Sequence, residues 1–408
     1  MNRFASNSLA FLGLYDGWEY FDSRTCDGFV AFERHGGVAL ACGEPVACPD
    51  DLEALLGEFG AFCESEGLRP AFASASNDFA QFASEHGWAC LKLGEEPWFD
   101  AKTYLPRGNR TKKVRSAANQ ACKGGVTIEA LRSGTSPSTA ATAAMQEVVE
   151  EWRMSRKVKA LGFTLRLEPL TLSEQKLTLL AWQNGRLQAF LTCIPIPARN
   201  AYSVEDLIRR PTAPNGVSEL LLLAAVDACR DRGVQMLTLG LAPLRRAELQ
   251  AFGQAKAGKI LGFVGKHLNM FYDFRALGHF KAKFAPTSWE ASYLVYPPGH
   301  LGRCVIALIL AFTPGRFGAL QTFFSRWRIR TAYPLLDRLA AVAGVAFVGV
   351  AGAFLAMHSP ALAPFALAER DIVRLTLGVG GQAREHLVID GLLAAGFSAL
   401  YLRSARSS

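Results

Sequence analysis

Alternating apolar and polar positions predict strands along much of the N-terminal part, because successive side chains of a strand face opposite sides of a sheet. Residues 28–46 hold two apolar runs joined by His35, Gly36 and Gly37, which is typical of a hairpin. The apolar spacing then changes between helical and strand-like, predicting helix 52–68, strand 69–76, helix 77–88 and strand 89–101. A hairpin followed by this alternation indicates one α/β domain with a mixed sheet.

A similar order of elements begins again near residue 135. Asn184 and Gly185 lie between two apolar runs in residues 176–196 and are a strong two-residue hairpin signal. The other predicted elements are helix 138–155, helix 217–231, strand 235–240, a helix within 259–284 and strand 288–297. The pattern therefore predicts a second α/β domain, with boundaries at residues 1–130 and 131–298.

The pattern changes after Pro298, in an apolar region with many arginines that covers residues 299–408. Residues 339–357 carry no charge and are long enough to cross a bilayer, although a buried helical hairpin is the alternative. The basic segment 326–330 (RWRIR) places its side of such a span in the cytoplasm. Residues 304–313 are too short to span alone, and residues 383–402 are a second candidate for a membrane-associated helix.

Composition strengthens the prediction of a membrane surface as a partner. Half of the residues are hydrophobic, the mean hydropathy is +0.14 and the net charge is +8. Residues 301–408 contain eleven Arg, no Lys and five acidic residues, so most of the positive charge is there. A basic, apolar region of this kind suits an anionic lipid surface.

The cysteine pattern indicates the cellular compartment and argues against some kinds of site. Nine cysteines are scattered along the chain without a CxxC pair, which indicates neither a zinc site nor a disulfide framework. The chain start shows no sustained apolar signal region. We therefore expect reduced thiols, a cytosolic face and no metal.

One segment between the predicted domains is strongly basic. Residues 102–123 contain seven Lys or Arg and no acidic residue. As a helix over 107–123, the segment places Lys112, Arg115 and Asn119 on one face. It is either a solvated linking helix or a contact for the phosphates of a nucleic acid or a lipid headgroup.

Charged residues, a turn and a helix start lie close together in residues 206–244, which we predict to form the edge of an active site. The turn contains Pro211 and Pro214, and the helix start offers unpaired N–H groups to an anionic or carbonyl ligand. The candidate residues of this stretch are Asp206, Arg209, Arg210, Asn215, Gly216 and Glu219.

Each of these charges also has a purely structural interpretation. Asp206 and Arg209 can share a helical face or pair across a turn as a surface ion pair, which stabilises little. As chemistry, the carboxylate can bind an ammonium group and the guanidinium a phosphate or an oxyanion. Glu219 can simply complement the helix dipole. Lys281 and Lys283 are either cations beside an aromatic core or phosphate ligands.

Common catalytic motifs are not found in the sequence. The seven histidines form no HxxxH or HExxH pair, and no Ser-His-Asp arrangement is recognisable. A GxxxxGK[ST] loop and a GxGxxG turn after a strand are likewise missing. The lack of a Gly-rich phosphate loop counts modestly against binding of acetyl-CoA.

Several long motifs occur in an order that resembles one family. They are GEPV (43–46), LKLGEEPWFD (91–100), GNRTKKVRSAANQACKGG (108–125), EEWRMSRK, DLIRRPTAPNG, LTLGLAPL and HFKAKFAPTSWEASYLVYP. Over roughly residues 15–297 the chain resembles the C-terminal synthase domain of bacterial phosphatidylglycerol lysyltransferases of the multiple peptide resistance factor type (DUF2156). The chain is expected to lack the family's flippase region, so lipid export is not expected of it.

The resemblance implies an α/β (α+β) fold of two GNAT-like acyltransferase folds in tandem, with the active site in a tunnel between or beside them. It also implies transfer of an aminoacyl group, commonly lysyl or alanyl, from aminoacyl-tRNA to a hydroxyl of phosphatidylglycerol or a related lipid. Asp206 and Arg209 match the family's Asp-x-x-Arg, and Lys281 falls on its K-x-K-F-x-P-x-W-like motif, here with one extra residue before Trp289.

The roles that follow agree with the chemistry of the residues. Asp206 would hold the amino-acid ammonium, while Arg209 and Lys281 would face phosphate or an oxyanion. Arg210, Asn215, Gly216, Glu219 and Lys283 are expected to bind substrate, and Lys112 and Arg115 to meet tRNA or anionic lipid.

The expected partners are aminoacyl-tRNA as co-substrate, without a cofactor or metal, and an anionic membrane surface. We expect the catalytic domains on the cytoplasmic side of the cell membrane; the oligomeric state is left open. The alternatives are a GNAT-like N-acyltransferase that uses acyl-CoA or acyl carrier protein, and a membrane-tethered binding protein without activity.

Overall fold

A computed structural model describes residues 3–132, 134–155, 163, 166–246 and 274–312. The strands are β1 (Glu19–Asp22), β2 (Phe29–His35), β3 (Val38–Cys42), β4 (Arg69–Ala75), β5 (Ala89–Asp100), β6 (Thr127–Ala130), β7 (Leu177–Gln183), β8 (Arg186–Ile196), β9 (Ala201–Arg209), β10 (Met236–Thr238), β11 (Ala242–Pro243) and β12 (Ser288–Tyr296). The helices are α1 (Leu52–Ser65), α2 (Asn77–Glu85), α3 (Lys112–Lys123), α4 (Thr139–Ser155), α5 (Val217–Asp231), α6 (Phe274–Ala282) and α7 (Leu301–Phe312).

The strands form one mixed sheet in the order β1-β2-β3-β4-β12-β5-β10-β9-β8-β7-β6, and β11 pairs with β5. The last strand of the described chain, β12, lies between β4 and β5, antiparallel to both. Strand β5 in turn pairs with β10. The two halves of the sequence therefore share a single sheet, and the described residues belong to one compact unit.

Helices cover both faces of this sheet. In the first half, α1 and α2 bury Phe59 and Phe79 against one face, and α7 packs with Phe11 and Leu12 on a second core. In the second half, α3 and α5 belong to one core and α4 to another. Mixed sheet and helices on both sides confirm the predicted α/β class.

The sequence pattern places most elements correctly. Both hairpins and the helices α1, α2, α4 and α5 lie where the periodicity predicts them. The basic helix expected over 107–123 is present as α3 but begins at Lys112. Strands β6, β9 and β11 were not predicted. Strands β6 and β11 have only four and two residues, which is too short for a clear pattern. Helix α7 begins at Leu301 and covers most of the apolar segment 304–313, which is predicted to be too short to span alone.

The membrane predictions fall outside the residues that the structure describes. This applies to residues 339–357, to the basic segment 326–330 and to residues 383–402. Within the described ranges, no helix combines the length and the hydropathy needed to cross a bilayer.

In the second half, strands β9 and β10 separate next to the candidate site. Strands β9 and β10 run parallel and pair only from Ala201 to Ser203 and from Met236 to Thr238. Strand β10 then ends, whereas β9 continues to Arg209 beside β8. The two strands therefore separate, and among the described strands none pairs with the part of β9 beyond Ser203 on the β10 side.

Candidate functional site

A bulge in β9 brings two carboxylates to the same face of the sheet. Thr192 of β8 pairs with Asp206, but its neighbour Cys193 pairs with Val204, so Glu205 is the extra residue. Adjacent residues of a regular strand point to opposite faces. The bulge changes this alternation, and Thr192, the pairing partner of Asp206, donates a hydrogen bond to Glu205.

Glu205 is held by three donors from separate parts of the chain. Its carboxylate accepts from the Tyr15 hydroxyl at 2.5 Å and from Thr192 Oγ1 at 3.2 Å. Lys176 Nζ lies 2.7 Å from the same carboxylate and also donates to the carbonyl of Glu168 at 2.8 Å. The Lys176 side chain is fully buried. Glu205 therefore belongs to a rigid, buried cluster rather than to a solvated face.

Asp206 lies beside this cluster with one oxygen unused. Only 7% of the residue is exposed, and within the described structure its Oδ2 atom is buried without a hydrogen-bond partner. Burial, and then the charge of Glu205, raise the pKa of Asp206 well above its usual value. Buried carboxylate oxygens are nearly always hydrogen-bonded. The free oxygen is therefore a prepared acceptor for a ligand donor.

The charges around Asp206 do not balance. Glu168 and Glu205 raise the pKa of Asp206 by their charge, and Lys176 lowers it. Lys176 already contacts Glu205, so its ammonium group neutralises that partner first. A buried carboxylate without a partner is costly unless it takes up a proton or gains a cation. The cluster therefore suits a positively charged ligand group.

Lys281 is buried, with all its donors in use. Its Nζ atom donates to the carbonyls of Leu239, Gly240 and Leu241 at 2.7, 2.9 and 2.8 Å. Burial lowers the pKa of Lys281 to about 8, although the charge of Glu96 acts in the opposite direction. Lys281 thus ties α6 to the chain where it leaves β10. A contact to phosphate or an oxyanion requires that one of these carbonyls be released.

Strand geometry corrects the expected relation between Asp206 and Arg209. Both residues lie in β9, not in a helix, so a spacing of three residues points them to opposite faces. Asp206 is buried whereas Arg209 is exposed at the end of the strand. The expected shared helical face is therefore wrong, and no ion pair joins the two residues in the described structure.

Arg210 has a structural environment. It is fully buried, donates to the carbonyl of Leu187 at 2.6 Å and forms ion pairs with Glu147 at 3.0 Å and with Glu151. These contacts fasten α4 to the end of β9. They leave no accessible guanidinium edge for a substrate.

The turn before α5 is shaped by close packing. Gly216 has a φ of +87°, and a Cβ atom there would lie 1.9 Å from the carbonyl oxygen of Ala117 in α3. Asn215 is exposed beside it. Glu219, in the first turn of α5, pairs with Lys283 at 2.7 Å. Among these expected substrate ligands, Glu219 and Lys283 meet each other, and the glycine serves the contact between two helices.

The basic surface of α3 stays open. Lys112 is exposed, and Arg115 is half-buried and donates to the carbonyl of Gly108 at 2.8 Å. Within the described chain, none of the ion pairs involves a cation of residues 102–123. The predicted outward basic face is therefore present and available to an anionic partner.

Sequence reasoning missed several residues around the candidate centre. Tyr15 and Lys176 carry no motif and are far from Asp206 in sequence, so only the fold brings them to Glu205. Glu96 is a further buried carboxyl that accepts from Ser8 at 3.0 Å; burial raises its pKa. Two adjacent acids, Glu205 and Asp206, inside an otherwise apolar strand were the signal available in the sequence.

Comparison with known proteins supports the resemblance found in the motifs. A family model described as phosphatidylglycerol lysyltransferase, C-terminal, matches residues 1–296. The chain belongs to this family. The match covers both halves of the sheet and the Asp206 cluster, and it confirms the family predicted from the motifs.

Relatives resemble the chain over most of the described part. An uncharacterized protein of Corynebacterium glutamicum is 26% identical over 303 residues, covering 72% of this chain and 37% of the relative. A phosphatidylglycerol lysyltransferase of Bacillus subtilis is 23% identical over 297 residues, covering 72% of this chain and 34% of the relative. The chain thus spans about a third of the length of these curated relatives.

A solved structure shares the fold. L-PGS from Bacillus licheniformis matches with a TM-score of 0.64 and 20% identity, over 80% of this chain and 94% of that one. At this identity the similarity concerns the architecture, namely the continuous mixed sheet with its helices.

Proposed function

We propose that the chain transfers an aminoacyl group, lysyl or alanyl, from aminoacyl-tRNA to a hydroxyl of phosphatidylglycerol or a related lipid. Family membership supports this proposal. The observation that carries it is the unused, buried Oδ2 atom of Asp206, in a cluster where, among the described residues, Asp206, Glu205 and Glu168 face the single cation Lys176. An aminoacyl ester brings a further positive charge, because its α-amino group is protonated below a pH of about 8.

In this proposal Asp206 accepts a charge-assisted hydrogen bond from the α-ammonium group. Such a bond fixes the position of the neighbouring ester carbonyl. Arg209, exposed at the end of β9, is assigned to a phosphate of tRNA or lipid. Lys281 is assigned to the oxyanion, on the condition that substrate displaces one of its carbonyl partners.

The reaction exchanges one ester for another. The lipid hydroxyl oxygen forms a bond to the aminoacyl carbonyl carbon, and the bond from that carbon to the tRNA ribose oxygen breaks. The hydroxyl proton ends on the ribose oxygen that leaves. Because the donor ester is already activated, the proposed catalysis consists of positioning and oxyanion stabilisation and needs neither nucleotide nor metal.

The basic face of α3 provides a place for the polyanionic donor. Its exposed cations have no acidic partners among the described residues, which favours contact with phosphates. We assign the catalytic part to the cytoplasmic side of the cell membrane, where charged tRNA and anionic lipid are both present. Within this proposal the two halves of the sheet are GNAT-like folds in tandem.

The proposal is tested with the purified full chain, vesicles containing phosphatidylglycerol and tRNA charged with either lysine or alanine. Mass spectrometry of the extracted lipid is expected to show a new aminoacylated lipid. Asp206→Asn is expected to lower kcat/KM by about tenfold to a hundredfold, because a hydrogen bond to a charged group contributes about 1.5–3 kcal/mol.

The control variant is Asp227→Asn, which removes a carboxylate that is largely exposed on α5. It is expected to keep wild-type activity. A lipid fraction that stays unchanged with every charged tRNA would refute the transferase proposal. Acylation by labelled acyl-CoA instead would support the N-acyltransferase alternative.

A further inference from the structure

Three residues outside the motifs contact one another beside Asp206. Tyr15, Lys176 and Glu205 come from the N-terminal segment, the loop before β7 and the bulge of β9. They meet through two short contacts, 2.5 Å from the Tyr15 hydroxyl and 2.7 Å from Lys176 Nζ, both to the Glu205 carboxylate. Lys176 Nζ also lies 4.9 Å from the centre of the Tyr15 ring. The three side chains therefore hold one another in place.

This arrangement leaves Asp206 without the cation that it would otherwise attract. Lys176 donates to the Glu205 carboxylate and to the Glu168 carbonyl, and it makes no hydrogen bond to Oδ2 of Asp206. The Thr192 hydroxyl donates to Glu205 at 3.2 Å, and its hydrogen bonding to the Asp206 carboxyl lowers the pKa of Asp206 but does not satisfy Oδ2. Burial of the Tyr15 hydroxyl raises its pKa, so it remains a neutral donor to Glu205.

We propose that Tyr15, Lys176 and Glu205 are positioning residues that keep one oxygen of Asp206 free for the protonated amine of the aminoacyl donor. This inference rests on the proposed function. It adds that the amine is recognised by charge, because Glu205 takes the nearby cation and the ligand must supply the missing one.

A consequence is that amine binding is linked to a proton. The charged groups acting on Asp206 are Glu168 and Glu205, which favour its protonated form, and Lys176, which favours the ionised form. The titratable Tyr15 hydroxyl also interacts with Asp206, and burial and the neighbouring acids keep it protonated. Since only the ionised carboxylate pairs with an ammonium, the affinity rises with pH as Asp206 loses its proton. Below that range the ligand must displace the proton, and one proton is released on binding.

The test measures binding of alanine methyl ester and lysine methyl ester to the full chain by calorimetry. The pH runs from about 4.5 to about 7, where the ester amines stay protonated. Methyl lactate, which carries a hydroxyl in place of the amine, is the ligand control. Two buffers with different ionisation enthalpies count the protons released. Thermal unfolding of each variant verifies that it folds.

In a plot of affinity against pH, the rising part at low pH, here called the acid limb, reports the pKa of Asp206. Two charge variants are expected to move this acid limb in opposite directions. Glu205→Gln removes a negative charge beside Asp206, so the limb moves to lower pH. Lys176→Met removes the compensating positive charge, so the limb moves to higher pH. Neighbouring charges at such distances shift a pKa by about one unit or more.

Two further variants separate charge from geometry. Tyr15→Phe removes a hydroxyl but no charge, so it lowers the affinity and leaves the limb in place. Glu19→Gln, an exposed carboxylate paired with Arg34, changes neither.

The outcomes distinguish this inference from the proposed function. If Glu205→Gln and Lys176→Met weaken binding equally and leave the limb unmoved, their role is only structural and the positioning inference is overturned. If wild-type chain binds the amino esters no better than methyl lactate, the amine does not bind at Asp206. That result overturns the ammonium site of the proposed function and the inference with it. Opposite shifts with proton release support both.

Discussion

At the scale of single residues, burial decides what each charged side chain does. Asp206, Lys281 and Arg210 are all buried, yet only Asp206 keeps an unused polar atom in the described structure. Lys281 uses its three donors on backbone carbonyls, and Arg210 is neutralised by two glutamates of α4. Three buried charged residues selected from the sequence therefore differ in their contacts: Asp206 keeps one polar atom open, whereas Lys281 and Arg210 are engaged within the folded chain.

The buried carboxyl of Asp206 makes stability depend on pH. Its pKa in the folded chain is raised above the ordinary 3.8, so the folded chain holds a proton that the unfolded chain loses. This contribution to stability is present at low pH and is lost as the pH rises through the folded pKa. The asparagine of the Asp206→Asn variant cannot ionise, so this variant does not lose that stability as the pH rises.

We therefore expect the melting temperature of Asp206→Asn to gain on that of the wild type as the pH rises from about 4 to about 7. Thermal unfolding across this range measures the difference. Asp227→Asn, an exposed carboxylate on α5, serves as control and is expected to show no such trend. A melting temperature of Asp206→Asn that falls relative to that of the wild type as the pH rises would contradict the raised pKa of Asp206.

At the scale of elements, a bulge in β9 and the early end of β10 create the site. The bulge at Glu205 turns two successive carboxylates to one face, and the early end of β10 opens the sheet beside β9. Helix α6 closes the end of β10 through Lys281. Helix α5 starts close to α3 because Gly216 lets the two backbones approach.

The approach of α5 to α3 can be tested with a pair of glycines. Gly216→Ala combines a positive φ with a Cβ atom 1.9 Å from the Ala117 oxygen, whereas Gly233, with φ +69°, has open space around it. Gly233→Ala is expected to cost about 1–2 kcal/mol of unfolding free energy from backbone strain alone. Gly216→Ala is expected to cost about 1–3 kcal/mol more, because helix α5 must move away from α3.

Urea denaturation of both variants measures the two costs. Equal costs would show that the approach of α3 and α5 is not constrained at this position.

At the scale of the whole molecule, the position of β12 in the sheet and the surface charge determine which residues and ligands come together at the site. Strand β12 sits between β4 and β5, and the N-terminal segment reaches both Glu96 and Glu205 through Ser8 and Tyr15. The N-terminal segment therefore contacts one buried carboxylate in each half of the chain, Glu96 and Glu205. On the outside, α3 offers cations without acidic partners among the described residues.

The basic surface of α3 is expected to bind tRNA electrostatically. Lys112→Gln combined with Lys113→Gln should weaken tRNA binding and flatten its dependence on salt, because each lost phosphate contact reduces the slope of log K against log salt by about 0.7–0.9. Filter binding over a salt series measures the slope. Arg24→Gln with Arg153→Gln removes two exposed charges elsewhere and should leave it unchanged. An unchanged slope in the α3 variant would place the tRNA on another surface.

The sequence by itself determined the elements, the class and the family. Periodicity located both hairpins and most helices, because apolar spacing follows directly from the geometry of strands and helices. The motifs indicated the family, which the family model confirms, and they selected Asp206. Periodicity and motifs depend only on residues that are close together in the sequence.

The tertiary structure decided which charges share a site. It placed Asp206 and Arg209 on opposite faces of β9, since a strand and not a helix carries them. It gave Asp206 its neighbours Glu205, Lys176 and Tyr15 through a bulge and a segment distant in sequence. These contacts depend on strand register and long-range packing, which no local pattern of apolar and polar residues records.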